Sequence, residues 1–157
     1  VRAVRPWAGV VLLAACNPNT TRPPITPIPG ALEERLGVDP ARAVALLVDA
    51  LRADSLPVTV IRDRDAYLET PWFDGATGEP TTRRPLGDGV VRLRAWIDLA
   101  AARDSHVTLE LTFRPLADPS APERDLDRLL PADHPAAQRA KRVLDALKKR
   151  YPPAIGG

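Results

Sequence analysis

Two stretches of strict alternation limit what this chain can fold into more than any other feature. Val91, Leu93, Ala95, Ile97 and Leu99 interleave with Arg92, Arg94, Trp96 and Asp98. After a short gap, Val107, Leu109, Leu111 and Phe113 interleave with His106, Thr108, Glu110, Thr112 and Arg114. A period of two sends alternate side chains to opposite faces of a strand, so each stretch is a strand with one apolar and one polar face. A turn near residues 101–105 joins them as an antiparallel hairpin. Pairing Ile97 with Val107 and Leu93 with Leu111 sets Arg94 opposite Glu110 and Asp98 opposite His106, and this charge complementarity selects the register. The apolar face is expected to meet a core and the polar face to meet water.

That apolar face needs a cover, and the sequence supplies two amphipathic helices. Asp39-Pro40 places an N-cap before a proline at the first helical position. Val44, Leu47, Val48 and Leu51 then form one stripe, and Pro57 ends it. The second helix opens at Asp133-His134-Pro135, with Ala136, Ala140, Val143, Leu144, Leu147 and Tyr151 on its stripe and Pro152-Pro153 after it. Lys148, Lys149 and Arg150 fall in its last turn, where the helix dipole favours cations. Between the first helix and the hairpin, residues 58–63 and 66–73 predict two more strands, with Pro71 confining the second to an edge or a bulge. Residues 74–89 hold four glycines and two prolines and form a loop longer than ordinary hairpin connections, either disordered or used for contacts. Ser120 and Glu123 have capping-box spacing and predict a short helical turn carrying Leu126, Leu129 and Leu130. The expectation is an α+β domain in the order αββββα: a two-layer sandwich, with a four-stranded antiparallel sheet carrying both helices on one face. A chain of 157 residues has room for one such domain, placed at 32–153, with a tail at 154–157.

The amino-terminal end has a different logic. Residues 1–16 read VRAVRPWAGVVLLAAC, with Arg2 and Arg5 ahead of an apolar run at 7–15. Basic, then apolar, then small is the order of a secretory signal. The run falls far short of the roughly 20 residues a helix needs to cross a bilayer. Leu13-Ala14-Ala15-Cys16 resembles the lipobox of bacterial lipoproteins. The resemblance implies removal of residues 1–15, a diacylglyceryl group on the Cys16 thiol and an acyl chain on the new amine. Each buried methylene contributes about 0.8 kcal/mol, so two or three chains give a stable anchor without a spanning helix. Asn17 after the cysteine implies the outer membrane, with the domain on the periplasmic face. Cys16 is the only cysteine, which leaves no disulfide and no thiolate metal site. Residues 16–31 are then the lipidated cysteine and a tether, with five prolines within 17–30. A polyproline tether of that length reaches on the order of 40 Å when extended.

Charge argues against one class of partner. The chain carries 22 basic and 20 acidic side chains, but Arg2 and Arg5 lie in the signal, so the remainder is neutral. A neutral protein has no net field to gather it on nucleic acid, and none is expected as a partner. Signals of catalysis are missing too. His106 and His134 lie on different predicted elements without neighbouring metal ligands. Gly87-Asp88-Gly89 lacks the third glycine and the helix of a dinucleotide site, and there is no Gly-x-Ser-x-Gly turn. No catalytic residue, metal or cofactor beyond the covalent lipid is expected, and the domain is read as non-enzymatic. The composition points instead to protein binding. Trp96 falls among Arg92 and Arg94 on the predicted wet face, either exposed there or covered by the 74–89 loop; Trp72 joins it if the neighbouring strand points Leu68, Thr70 and Trp72 outward, and Arg83 and Arg84 belong to the loop. Exposed tryptophan beside arginine is the composition of binding hot spots.

Residues 39–73 (a helix, VTVIRDRD, then a strand holding Tyr67 and Trp72) resemble the BamC (NlpB) kind of envelope lipoprotein, which assists outer-membrane protein assembly. Such proteins commonly carry two domains of this kind, where this chain has room for one. The resulting expectation is a membrane-anchored envelope lipoprotein, non-catalytic, whose domain binds another envelope protein as an assembly accessory. The alternative is a small-molecule or lipid-binding periplasmic lipoprotein or, less favoured, an enzyme, and either requires a concave pocket.

Overall fold

The alternation becomes a long hairpin at the centre of the domain. The computed structural model describes residues 22–101 and 103–154, so the stretch read as a signal and lipobox, Cys16 included, lies outside the described residues. In chain order the elements are β1 (Leu32–Leu36), α1 (Pro40–Ala53), β2 (Val60–Arg62), a 3₁₀ turn at Asp63–Asp65, β3 (Tyr67–Glu69), β4 (Phe73–Asp74), β5 (Gly87–Ala101), β6 (Asp104–Arg114), α2 (Glu123–Leu126), β7 (Arg128–Leu129) and α3 (Pro135–Arg150). β5 and β6 pair antiparallel in the register that the charges select: Leu93 with Leu111, Ile97 with Val107, Arg94 with Glu110 and Asp98 with His106.

The expected four-stranded sheet with two helices is corrected to seven antiparallel strands with three helices among the described residues, a sheet-rich α+β fold. The added strands are short segments filling the flanks of the hairpin. Along β6, β1 pairs with residues 105–109 and β7 with Thr112 and Phe113. Along β5, β4 pairs with Val90 and Val91, β3 pairs with residues 94–96, and β2 lies outside β3. Strands of two to five residues carry too few alternations to show a period, which hides them in the sequence. The single strand expected over 66–73 divides into β3 and β4 around Pro71, which has no N–H to offer β5. Thr70 bridges the break, donating its N–H to the Leu93 carbonyl (3.0 Å) and accepting the Leu93 N–H on its hydroxyl (2.9 Å).

Both long helices lie on the apolar face. The Asp39 carboxylate accepts the Arg42 N–H at 3.1 Å to start α1, and Pro40 follows. His134 caps α3 by accepting the Ala136 N–H on Nδ1, also at 3.1 Å. Ala43, Val44, Leu47, Val48 and Leu51 of α1 and Ala140, Val143, Leu144 and Leu147 of α3 form one core with Leu93, Ala95, Ile97, Val107, Leu109 and Leu111. Each fully buried leucine or valine contributes roughly 1.5–3 kcal/mol relative to exposure. The end of α3 returns to the start of the domain, where the Gly37 N–H donates to the Tyr151 carbonyl at 2.9 Å. A Cβ on Gly37 would stand 2.1 Å from the Pro152 carbonyl oxygen, so the approach admits only glycine.

The opposite face departs from expectation, because its middle is sealed. Arg94, Trp96, Thr108, Glu110 and Thr112 are all buried. The cover is the chain itself. Residues 22–30, read from sequence as free tether, lie along this face, with Arg22 paired to Asp98 at 2.8 Å. The Ile28 N–H donates to Glu110 at 3.0 Å, and Arg124 donates to the Thr26 carbonyl at 2.6 Å. A turn at residues 28–31 then reverses the chain into β1. The Ala31 N–H closes it on the Ile28 carbonyl at 3.1 Å, with Gly30 at φ +93° after Pro29.

Candidate binding cleft

Four guanidinium and four carboxylate groups fill the middle of the polar face. Arg94 reaches Asp127 at 3.1 Å, Glu110 at 3.2 Å and Glu69 at 3.3 Å. Arg92 meets Glu69 at 3.2 Å. Arg114 meets Asp127 and Glu123, each at 2.9 Å, and Arg124 donates to Glu110 at 2.9 Å. The side chains of Glu110 and Asp127 are fully buried. Unpaired buried ions would each cost several kcal/mol; the seven buried or largely buried groups all have partners, and exposed Glu123 adds an eighth at the edge. Burial pushes the Arg94 guanidinium down, but Asp127 and Glu69 outweigh it and raise the group above its ordinary value. Arg92 goes the other way, lowered first by burial and then by neighbouring Arg94. Burial, then the hydrogen bond to Glu69 at 2.7 Å, pushes the Tyr67 phenol well above its usual range.

Beyond this cluster, where β5 begins and β6 ends, the polar face opens. Trp72 forms the floor of a cleft of about 650 Å³, which falls in the range of ligand sites. The Arg92 guanidinium lies 4.2 Å from the centre of the indole and that of Arg114 lies 4.9 Å from it. Guanidinium groups at these distances are held by the electron-rich ring face. One wall is residues 81–86 and the other is 116–126, with Leu86 and Leu116 both exposed at the rim. Glu123 enters with its carboxyl held below the usual range by the hydrogen bond from Arg114.

The long loop is held in place. Asp74 accepts the Thr77 and Ala76 N–H groups, which keep its carboxyl below the ordinary range, and pairs with Arg83. The Thr81 N–H donates to the Trp72 carbonyl at 3.0 Å, tying the start of the first wall to the floor residue. Arg84 makes no ion pair among the described residues, so its charge is available at the cleft.

Of the six binding residues expected from sequence, the structure brings Trp72, Arg83, Arg84 and Arg92 together around this cleft. Arg94 and Trp96 are corrected to interior positions. Arg94 is consumed by three carboxylates, and Trp96 is 2% exposed with its ring centre 5.5 Å from that of Tyr67. The alternation placed both on the right face, but nothing in it showed that residues 22–30 would cover that face. Arg114, Leu116 and Glu123 were missed. Arg114 continues the even-numbered polar row of β6 and so was legible, whereas Leu116 lies in a loop and Glu123 opens the four-residue α2, too short to show a period. Cys16 lies outside the described residues.

Among the described residues no group of three or more His, Cys, Asp or Glu is placed to hold a metal ion. No helix among them is long and apolar enough to cross a membrane. No protein-family model matches the chain, and no curated protein matches it.

Proposed function

We propose that this chain is a bacterial envelope lipoprotein, anchored in the outer membrane through acyl chains on Cys16. Its domain is a non-catalytic module that binds another envelope protein. The anchor is supported by the order of Arg2 and Arg5, the apolar run and Leu13-Ala14-Ala15-Cys16. The binding role rests on one observation, an open cleft floored by the Arg92–Trp72–Arg114 stack and rimmed by exposed Leu86 and Leu116. A rigid aromatic floor, fixed cations and apolar rims are the elements from which binding hot spots are built. The uncommitted charge of Arg84 favours an acidic partner segment.

The test is affinity purification after gentle detergent extraction, comparing wild type with Leu116→Asp and Arg84→Glu, both at exposed positions. A stoichiometric partner retained by wild type and lost from both variants supports the reading. Recovery of the lipoprotein alone, or equal retention by all three, contradicts it. A second reading stands on the cleft volume, which suits a small anionic molecule as well as a peptide. A low-mass compound that copurifies with wild type and not with Arg84→Glu would favour that one.

A further inference from the structure

The cleft holds a carboxylate of the chain's own. Glu123, in its second wall, accepts from Arg114 Nη2 at 2.9 Å. The other acids around the cluster's buried centre are fixtures: Glu110 and Asp127 have fully buried side chains, and each takes more than one guanidinium. Glu123 is 78% exposed and pairs with Arg114 alone among the described residues. An exposed pair of this kind is weakly held, because water competes for both ions.

The backbone around Glu123 is nonetheless fixed. Adjacent Arg124 is bonded to Glu110 and to the Thr26 carbonyl, and Asp127 is buried at the end of the same helical turn. Glu123 can therefore leave Arg114 by rotating its side chain alone. Arg114 stays aimed when it does, since its Nε keeps Asp127 at 2.9 Å and so holds the guanidinium plane. Neighbouring Arg92 is short of anions. Its ion pair among the described residues is with Glu69 at 3.2 Å, a carboxylate that also takes Arg94 and the Tyr67 hydroxyl, and its buried Nε has no acceptor. With Arg84 unpaired as well, a rotated Glu123 leaves three guanidinium groups lining one space with too little negative charge.

Resting on the binding role proposed above, we infer that Glu123 is a built-in competitor, occupying the place that the cleft gives to an aspartate or glutamate carboxylate of the partner segment. Binding is an exchange in which the partner's carboxylate takes Arg114 Nη2 and Glu123 turns to water. Arginine clusters recognise acidic peptide motifs in this way, through charge-assisted hydrogen bonds to an oxygen pair. The occupant is a peptide because Leu86 and Leu116 stand exposed on the two walls. A small anion on the floor would leave both bare, whereas apolar side chains flanking the acidic residue cover them.

The experiment immobilises the full-length protein in mild detergent and selects from phage-displayed random dodecapeptides, with Arg84→Glu as the counter-selecting surface. Peptides carrying Asp or Glu between apolar residues are expected. A selected peptide is then titrated calorimetrically. Glu123→Gln, which loses the competitor, should bind it about fivefold tighter than wild type, the worth of an exposed ion pair. Glu79→Gln removes an equal charge from the exposed loop outside the cleft and should stay within about twofold of wild type. No tightening by Glu123→Gln, or equal tightening by both, overturns the exchange and leaves the cleft standing as a binding site. Selected peptides without an acidic residue overturn the carboxylate and likewise leave the cleft standing. Acetate that displaces the peptide at equal concentration assigns the cleft to small anions and overturns the peptide assignment. No peptide that prefers wild type over Arg84→Glu overturns both this inference and the binding role.

Discussion

Glu110 joins the two halves of the polar face. Its carboxylate is fully buried and accepts from Arg94, from Arg124 and from the Ile28 backbone, so it ties the sheet, the 115–127 loop and the amino-terminal segment together. Glu110→Gln keeps the volume and removes the charge, leaving two guanidinium groups short of an anion. Breaking a buried pair from one side costs about 3–5 kcal/mol, read as a fall in the midpoint of urea unfolding. Glu123→Gln removes a carboxylate from the same cluster, but at 78% exposure its loss should stay under about 1 kcal/mol. Equal effects at the two positions would contradict this account. Tyr67 gives the cluster a pH signature. Burial and Glu69 raise its folded-state value above the ordinary 10.0, so the native state holds this proton more tightly than the unfolded chain does. Its contribution is complete below the unfolded value and is lost as pH rises through the folded one. Stability measured by denaturant from about pH 9 to about pH 11 should therefore fall, and Tyr67→Phe should flatten that decline.

Among elements, the return of α3 onto the start of the domain is the tightest contact. Gly37→Ala drives a methyl into the Pro152 carbonyl and should cost on the order of 2–3 kcal/mol, visible as a lowered thermal midpoint. Ending the chain after Tyr151 should restore most of that loss, because the opposing oxygen is gone while the Gly37–Tyr151 hydrogen bond remains. Should the shortened double variant stay as unstable as Gly37→Ala, the steric explanation is wrong. The same elements show why some of the fold was legible and some was not. The hairpin and its register could be read because nine or more residues alternate in each strand and because Arg94 and Glu110 find each other only in that pairing. The helices were legible from Asp39-Pro40 and His134-Pro135 with the stripes behind them. β1, β4 and β7 were not, since LEERL, Phe73–Asp74 and Arg128–Leu129 are fixed by neighbours distant in sequence. For the cleft, Trp72 and Arg92 stood out by residue type. Its second wall at 116–126 depends on Asp127 reaching Arg94 and Arg114, which no local pattern announces.

At the scale of the whole molecule, the polar face depends on residues 22–31 for its cover. A chain beginning at Leu32 should expose Trp96 and shift its fluorescence emission to longer wavelength, with a loss of stability. A truncated chain with unchanged emission would show that the segment only rests on the surface. The hairpin flanks have a further consequence. Bare, two strands of fifteen and eleven residues would offer long open rows of amide and carbonyl groups, which template the stacking of one copy on another. Here β3 and β4 occupy one flank and β1 and β7 the other, leaving outermost strands of only three and five residues on the main path of the sheet. Interrupted borders give no continuous template, so copies of this chain meeting at high concentration find no long row on which to build a fibre.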